Sequence, residues 1–244
     1  MLITSLENNK VKDLIKLQMK KYRDLTNSYI VEGEHLVLEA YKSNRIKEVF
    51  LLENENIDID VPYTFITKDI MKKITTLDTP PSIIALCEKN NNNEIIGNKV
   101  LLLDEIQDPG NLGTIIRSSV AFGIETIILS ENTVDLYNPK VLRSSQGMNN
   151  HINIISMNAK EAIEIMKKEG FVIYGTNVEK GIDVRELDNK SKEKYCLIMG
   201  NEGNGVRLEI QDMCDNNLYI RMNEKVESLN VAIACSILLY ELNR

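Results

Sequence analysis

From about residue 98 onward, short apolar runs alternate with helical segments, and this alternation constrains the fold more than any other feature. "VLLLD" (100–104), "TIILS" (126–130), "HINIIS" (151–156), "FVIYGT" (171–176), "YCLIM" (195–199) and "LYIRM" (218–222) read as strands. The first is apolar from Val100 to Leu103, which suits a strand buried on both faces of a parallel sheet. The helices between them are punctuated by capping residues. "NLGTIIRSSVAF" is closed by Gly123, and "PKVLRSSQGM" starts with proline in its first turn. "NAKEAIEIMKKEG" opens on Asn158 with Glu161 three residues later and closes on Gly170. Such a chain is expected to form an α/β fold with a mainly parallel sheet covered by helices. Ligands then gather at the carboxyl ends of the strands.

The clearest break in composition is "EKNNNNEIIGNK" (88–99), whose turn-forming residues mark a boundary near residue 93. The expected domains are 1–92 and 98–244. The first half opens with "NKVKDLIKLQMKKYRDL", which has apolar residues at helical spacing (Val11, Leu14, Ile15) and is expected to be one helix. Lys12, Lys16 and Lys20 fall four apart on it, with Lys21 and Arg23 alongside. Residues 1–25 carry six basic side chains (10, 12, 16, 20, 21, 23) and three acidic ones (7, 13, 24), in a chain of net charge −7. The local excess fits either a solvated helix face or a surface that meets phosphates. "YIVEG", "EHLVLEAYKS", "IKEVFLL", "YTFI", "KDIMKKI" and "SIIALCE" then alternate strand and helix, as in a small α/β domain.

Several functions are disfavoured. The acidic balance argues against wholesale coating of nucleic acid but leaves room for a local basic patch. Cys87, Cys196, Cys214 and Cys235 form no C-x-x-C pair and read as reduced core thiols. With His35 and His151 as the sole imidazoles, no zinc constellation suggests itself and no metal is expected. The first residues lack the apolar core of a signal peptide, and no run of about 18 apolar residues exists. A soluble, cytoplasmic protein is expected, with no membrane partner.

Three segments follow strands and carry unusual chemistry. In "DEIQDPGNLGTIIR" (104–117), Pro109-Gly110 makes a turn, Asn111 is expected to cap the helix, and Arg117 lies almost two turns in. Alone, Arg117 reads first as a surface arginine facing solvent, and otherwise as a side chain pointing across the loop. "GNEGNGVR" (200–207) packs three glycines around Glu202. It is neither the dinucleotide fingerprint G-x-G-x-x-G nor a P-loop. A bound anion would meet like-charge repulsion from Glu202. The loop therefore suits a neutral or cationic ligand, or else a tight turn with Glu202 near a helix start. In "RMNEKVESLN" (221–230), Ser228 is expected to cap the last helix, with Asn230 in its first turn.

Together these segments resemble the three motifs of the SpoU (TrmH-like) RNA ribose methyltransferases of the SPOUT superfamily. "DPGNLGTIIRSSVAFG" carries N-x-G-x-x-x-R at Asn111, Gly113 and Arg117. "IMGNEGNGV" carries G-x-E-x-x-G at Gly200, Glu202 and Gly205. "IRMNEKVESLNVAIA" resembles I-P-M followed by S-L-N-V. The order and spacing agree over 98–244, and "KKYRDLTNSYIVEG" resembles the L30e-like RNA-binding domain that precedes many such enzymes. Two positions depart from the pattern: Arg221 replaces the proline of I-P-M, and Glu224 stands where glycine is usual.

The resemblance implies a C-terminal trefoil knot, a homodimer with active sites at the subunit interface, and S-adenosyl-L-methionine as methyl donor to an RNA ribose 2′-hydroxyl. It implies a cofactor held at Gly200, Ile220 and Leu229, with Thr176 and Met222 nearby. It implies a reaction centre of Arg117, Asn111, Glu202, Ser228 and Asn230. Lys12, Lys16, Lys20, Lys21 and Arg23 would meet RNA. The extra N-terminal domain favours ribosomal over transfer RNA by analogy. A non-catalytic RNA-binding protein on the same fold is the rival from another class, and a dinucleotide oxidoreductase is disfavoured by the missing fingerprint.

Overall fold

The computed structural model describes residues 2–178 and 180–244. The chain divides into two compact units, Met1–Asn90 with Asp135–Asn150, and Asn91–Val134 with His151–Arg244.

In the first unit the chain runs β1 (Leu2–Ile3), α1 (Asn9–Lys16), α2 (Lys20–Thr26), β2 (Ser28–Glu32) and α3 (Glu34–Lys42). It continues through β3 (Ile46–Leu52), β4 (Tyr63–Ile66), α4 (Lys68–Ile74) and β5 (Ile83–Glu88). The sheet order is β1-β4-β3-β5-β2, parallel from β1 to β3 and antiparallel at β5 and β2. Residues 135–150 belong here because Tyr137 and Leu142 share a core with Tyr29, Val31 and Leu36; the Tyr29 and Tyr137 rings lie 4.5 Å apart.

The single helix expected over 9–25 is two. The chain breaks at 17–19, where Leu17, Gln18 and Met19 donate three residues back and tighten the end of α1. Arg23 stabilises the break: its Nη1 donates to the Leu17 and Gln18 carbonyls, both at 2.8 Å, satisfying acceptors that a continuous helix would have used internally. Gln18 turns away to donate to the last carbonyls of α4, those of Lys73 and Ile74. Periodicity hid this break because the apolar spacing stays helical on either side.

The second unit starts with β6 (Lys99–Leu103), α5 (Pro109–Ala121) and β7 (Thr126–Leu129). After α6 (Pro139–Ser145), which packs in the first unit, come β8 (Asn153–Ser156), α7 (Ala159–Lys168), β9 (Val172–Thr176) and β10 (Ile182–Asp183). The chain ends with β11 (Tyr195–Met199), α8 (Leu208–Gln211), β12 (Asn216–Tyr219) and α9 (Val231–Leu242). The order β10-β12-β9-β11-β6-β7-β8 is parallel at every pairing. Val100 to Leu103 and Tyr195 to Met199 are buried throughout, as central strands covered on both faces must be. Two-residue β10 was not legible, being too short to carry a period.

From β6 the chain moves outward through β7 and β8, then returns on the other side of β6 with β9 and β11. The order in which strands are added therefore reverses between β6 and β11, and the loops after those adjacent parallel strands face one crevice.

Candidate active site

The loop after β6 feeds α5. Asp108, not Asn111, is its N-cap: the Asp108 carboxylate accepts from the Asn111 N–H at 2.9 Å, and Pro109 opens the helix. The helix is capped three residues earlier than expected because Pro109 suits its first turn. Asn111 sits in that turn with its side-chain amide free for other use.

The loop after β11 folds back on itself. Asn201 and Gly205 pair through both backbone bonds, at 3.0 and 2.9 Å, and the Asn201 carboxamide accepts from the Gly203 and Asn204 N–H groups. A Cβ on Gly200 would lie 2.0 Å from the Gly205 carbonyl carbon, and Gly205 has φ +69°. Both glycines serve the closure of the loop itself.

That closure aims Glu202 at the start of α5. Glu202 accepts from the N–H groups of Gln107 (3.2 Å) and Asp108 (3.1 Å) and from the Asn111 Nδ2 (3.0 Å). The carboxylate thus occupies the place at a helix N-terminus where an anion is favoured. Burial raises the Glu202 carboxyl, but donation from Asn111 and the backbone outweighs it, and its pKa falls below the ordinary value. Glu202 is therefore a fixed negative charge at neutral pH.

A third segment joins them. Asn230 Nδ2 donates to Asn111 Oδ1 at 3.0 Å, and Asn230 Oδ1 accepts from the Ala232 and Ile233 N–H groups. Asn230, not Ser228, caps α9; the carboxamide fills both N-terminal donors, and Ser228 stays in the preceding loop. A carboxylate–amide–amide chain thus links all three loops. Asn111 is read unambiguously by it, since its Nδ2 faces a carboxylate and its Oδ1 faces a donor.

Beside this chain lies a cavity of about 660 Å³. Gly200, Ile220, Leu229, Thr176 and Met222 line it, as do Asn111, Glu202, Ser228 and Asn230. Strand β12 ends at Tyr219, earlier than the expected strand over 218–222, so Ile220 to Met222 are loop with backbone groups outside the ladder. Thr176 donates its hydroxyl to the Ile198 carbonyl at 3.0 Å. Among the described residues of the lining Glu202 alone carries charge, and none is basic. Arg117 is exposed on α5, outside this lining, with no hydrogen-bond or ion-pair partner among the described residues.

The basic positions fare differently. Lys12 pairs with Glu7 and Lys16 with Asp13. Lys20 and Lys21 are exposed and have no such partner among the described residues. Arg23 must be corrected: it is 4% exposed, with Nε 3.1 Å from Asp135 Oδ2, and cannot meet a phosphate while it holds the α1–α2 break. Sequence reasoning missed Asp104, Asn201 and Arg207, which fasten the two central loops; an acid directly after an all-apolar strand was the available signal for Asp104.

Residues 98–240 match the SpoU rRNA Methylase family, and residues 8–85 match the MRM3-like substrate binding domain. The 23S rRNA (guanosine(2553)-2′-O)-methyltransferase RlmP of Bacillus subtilis is 39% identical, over 98% of both chains. An rRNA methyltransferase of Sinorhizobium meliloti superposes with TM-score 0.89 at 30% identity, covering 99% of this chain and 96% of that one. An AdoMet-bound rRNA methyltransferase structure from the same organism gives TM-score 0.87 at 30% identity, over 99% and 97%.

The cavity fits that cofactor. Its volume lies in the range of small-ligand pockets. Leu218, Ile220, Leu229 and Leu238 offer apolar walls for a flat base, while the loop backbone offers polar groups. A lining whose described residues carry one carboxylate and no basic group repels phosphate and tolerates a sulfonium. The chain belongs to the SpoU rRNA methylase family, as an S-adenosylmethionine-dependent RNA 2′-O-ribose methyltransferase preceded by an MRM3-like substrate-binding domain.

Proposed function

We propose that the chain methylates the 2′-hydroxyl of a guanosine in 23S ribosomal RNA, at the position corresponding to the 2553 in the name of its Bacillus subtilis relative. The observation that carries the assignment of the reacting side of the site is the Glu202–Asn111–Asn230 chain, which ties three separate loops to one cavity. S-adenosylmethionine supplies an electrophilic methyl on a positively charged sulfur. The protein must then align the hydroxyl, exclude water and dispose of one proton.

Arg117 orients the ribose hydroxyl and a neighbouring phosphate. A guanidinium with pKa above ~12 keeps its proton and is a poor base, so the hydroxyl proton passes to that phosphate, which Arg117 holds against it. Glu202 and Asn230 fix Asn111, and Ser228 completes the rim. Gly200, Ile220, Leu229, Thr176 and Met222 form the cofactor's walls. RNA is preferred because DNA has no 2′-hydroxyl. The N-terminal domain, residues 1–92, grips RNA through Lys20 and Lys21, with Lys12 and Lys16 as weaker contacts already engaged by acids.

The active form in this reading is a homodimer. Ile233, Ile237 and Tyr240 leave an apolar stripe exposed along α9, at 53%, 36% and 52%. Such a dimer gives an Arg117 that lies outside its own cavity a pocket to serve, that of the partner. A trefoil knot is also part of the reading: β12 lies three strands from β6, yet α9 returns to α5 through Ser236 and Ser118, 2.6 Å apart. No helix among the described residues is long and apolar enough to cross a membrane. A ribosomal-RNA substrate makes the cytoplasm, where ribosomes are assembled, the compartment of this reading. Ribose-methylation mapping of 23S rRNA from cells with and without the gene tests the target. The mark at that guanosine should vanish without the gene; a mark that persists, or one lost only from transfer RNA, contradicts it.

A further inference from the structure

The loops after β6 and β11 are fastened at a second place, away from the reacting groups. Asp104, at the carboxyl end of β6, is fully buried. Its carboxylate accepts from the Arg207 backbone N–H at 3.1 Å, from Nε at 2.9 and 3.2 Å, and from Nη2 at 2.6 Å. The Arg207 side chain keeps 31% of its surface exposed, and its Nη1 lies 3.5 Å from both Glu105 and Glu209. A second fastening lies next to it: Asn201 Nδ2 donates to the Glu105 carbonyl at 2.9 Å.

Stability alone is a weak reason for such a pair. A well-packed apolar residue serves a buried position as well as a buried ion pair does, and often better. What the pair adds is geometry, because a bidentate fork fixes distance and orientation together. The fastenings hold consecutive residues, 104 and 105, and enclose the stretch 201–207. Glu202 lies inside that stretch, and its three donors, on Gln107, Asp108 and Asn111, lie just downstream of the held residues. A shift of either loop along the other separates Glu202 from all three donors at once.

We propose that Asp104 and Arg207 are a positioning pair that acts through Glu202, setting the alignment of the two loops in which the Glu202–Asn111–Asn230 chain closes. This rests on the reading above that the chain forms part of the reaction centre. Neither residue of the pair lines the cavity. The pair therefore governs turnover more than cofactor affinity.

A double-mutant cycle on kcat tests it, using Arg207→Gln, Glu202→Gln and the double variant. S-adenosylhomocysteine binding by calorimetry and thermal unfolding are measured on each protein. Arg207→Gln is expected to lower kcat by about 10- to 100-fold, with a change of less than about threefold in S-adenosylhomocysteine affinity. The double variant should be little worse than Glu202→Gln alone, because both changes break the same chain. Arg207→Lys, which keeps the charge and loses the fork, should recover only part of the rate.

Losses that multiply in the double variant overturn the proposal. So does an unchanged kcat in Arg207→Gln beside an impaired Glu202→Gln, which leaves the reaction-centre reading standing. An unchanged kcat in Glu202→Gln instead removes that reading, and the positioning role with it. Loss of S-adenosylhomocysteine affinity as large as the loss of kcat assigns the pair to the cofactor wall. If Arg207→Gln does not fold, Arg207→Lys carries the same cycle. Failure of both to fold assigns the pair to stability and overturns the proposal.

Discussion

Arg23 and Arg117 stand in helices of similar sequence promise and lead opposite lives. In the first unit Arg23 is buried, with donors committed to Asp135 and to the two carbonyls released where α1 gives way to α2. In the second unit Arg117 stands exposed on α5 with no partner among the described residues. A guanidinium whose forks are filled by its own chain holds a fold. One whose forks are open to solvent is left available to a molecule outside the chain.

The largest effect that can break this contrast is on turnover. Arg117→Ala should cut kcat by roughly 100-fold or more, the scale of losing one aligned charge-handling group. Its stability in urea should stay within about 0.5 kcal/mol of the parent, as expected for an exposed side chain without partners. Arg23→Ala should do the reverse. Leaving Asp135 unpaired should cost about 3 kcal/mol or more of unfolding free energy by urea titration. Turnover per folded molecule should be little changed.

Glu202 sharpens the contrast through pH. Its folded pKa lies below the ordinary value, so its contribution is present above the unfolded pKa and is lost as pH falls through the folded one. The kcat profile should therefore show no acid limb from Glu202 between about pH 8 and pH 5. A limb in that window that Glu202→Gln removes would mean the carboxylate titrates there. The smallest effect belongs to the remaining basic surface. Lys20→Ala with Lys21→Ala should weaken RNA binding a few-fold and lower the slope of log K against log salt by roughly 1 to 2. Lys12→Ala and Lys16→Ala should change it less, since those cations already face Glu7 and Asp13.

The same residues explain what was legible. All-apolar strands such as Val100–Leu103 and capped helices such as that opened by Asn158 announce themselves, because burial and capping are local demands. The three loop motifs were legible through order and spacing. Charge was not: counting cations along 9–25 cannot reveal that Arg23 meets Asp135, a partner 112 residues away in sequence. Capping was misread twice where several residues competed. Asp108 displaced Asn111, and Asn230 displaced Ser228, and in each case the outcome freed a side chain to join the site. The glycines of the loop after β11 were read either as room for a neutral or cationic ligand or as a tight turn; Gly200 and Gly205 line the cavity and also close the loop so that Glu202 can reach α5.

One measurement tests the central claim most directly. Purified protein is given S-adenosylmethionine labelled in the methyl group and 23S rRNA, and the RNA is digested to nucleosides. Arg117→Ala is run alongside, with its S-adenosylhomocysteine affinity measured by calorimetry. The account predicts label in 2′-O-methylguanosine from the parent protein. It predicts almost none from Arg117→Ala at nearly unchanged affinity. Label on a base, or an Arg117→Ala protein that turns over like its parent, would contradict it.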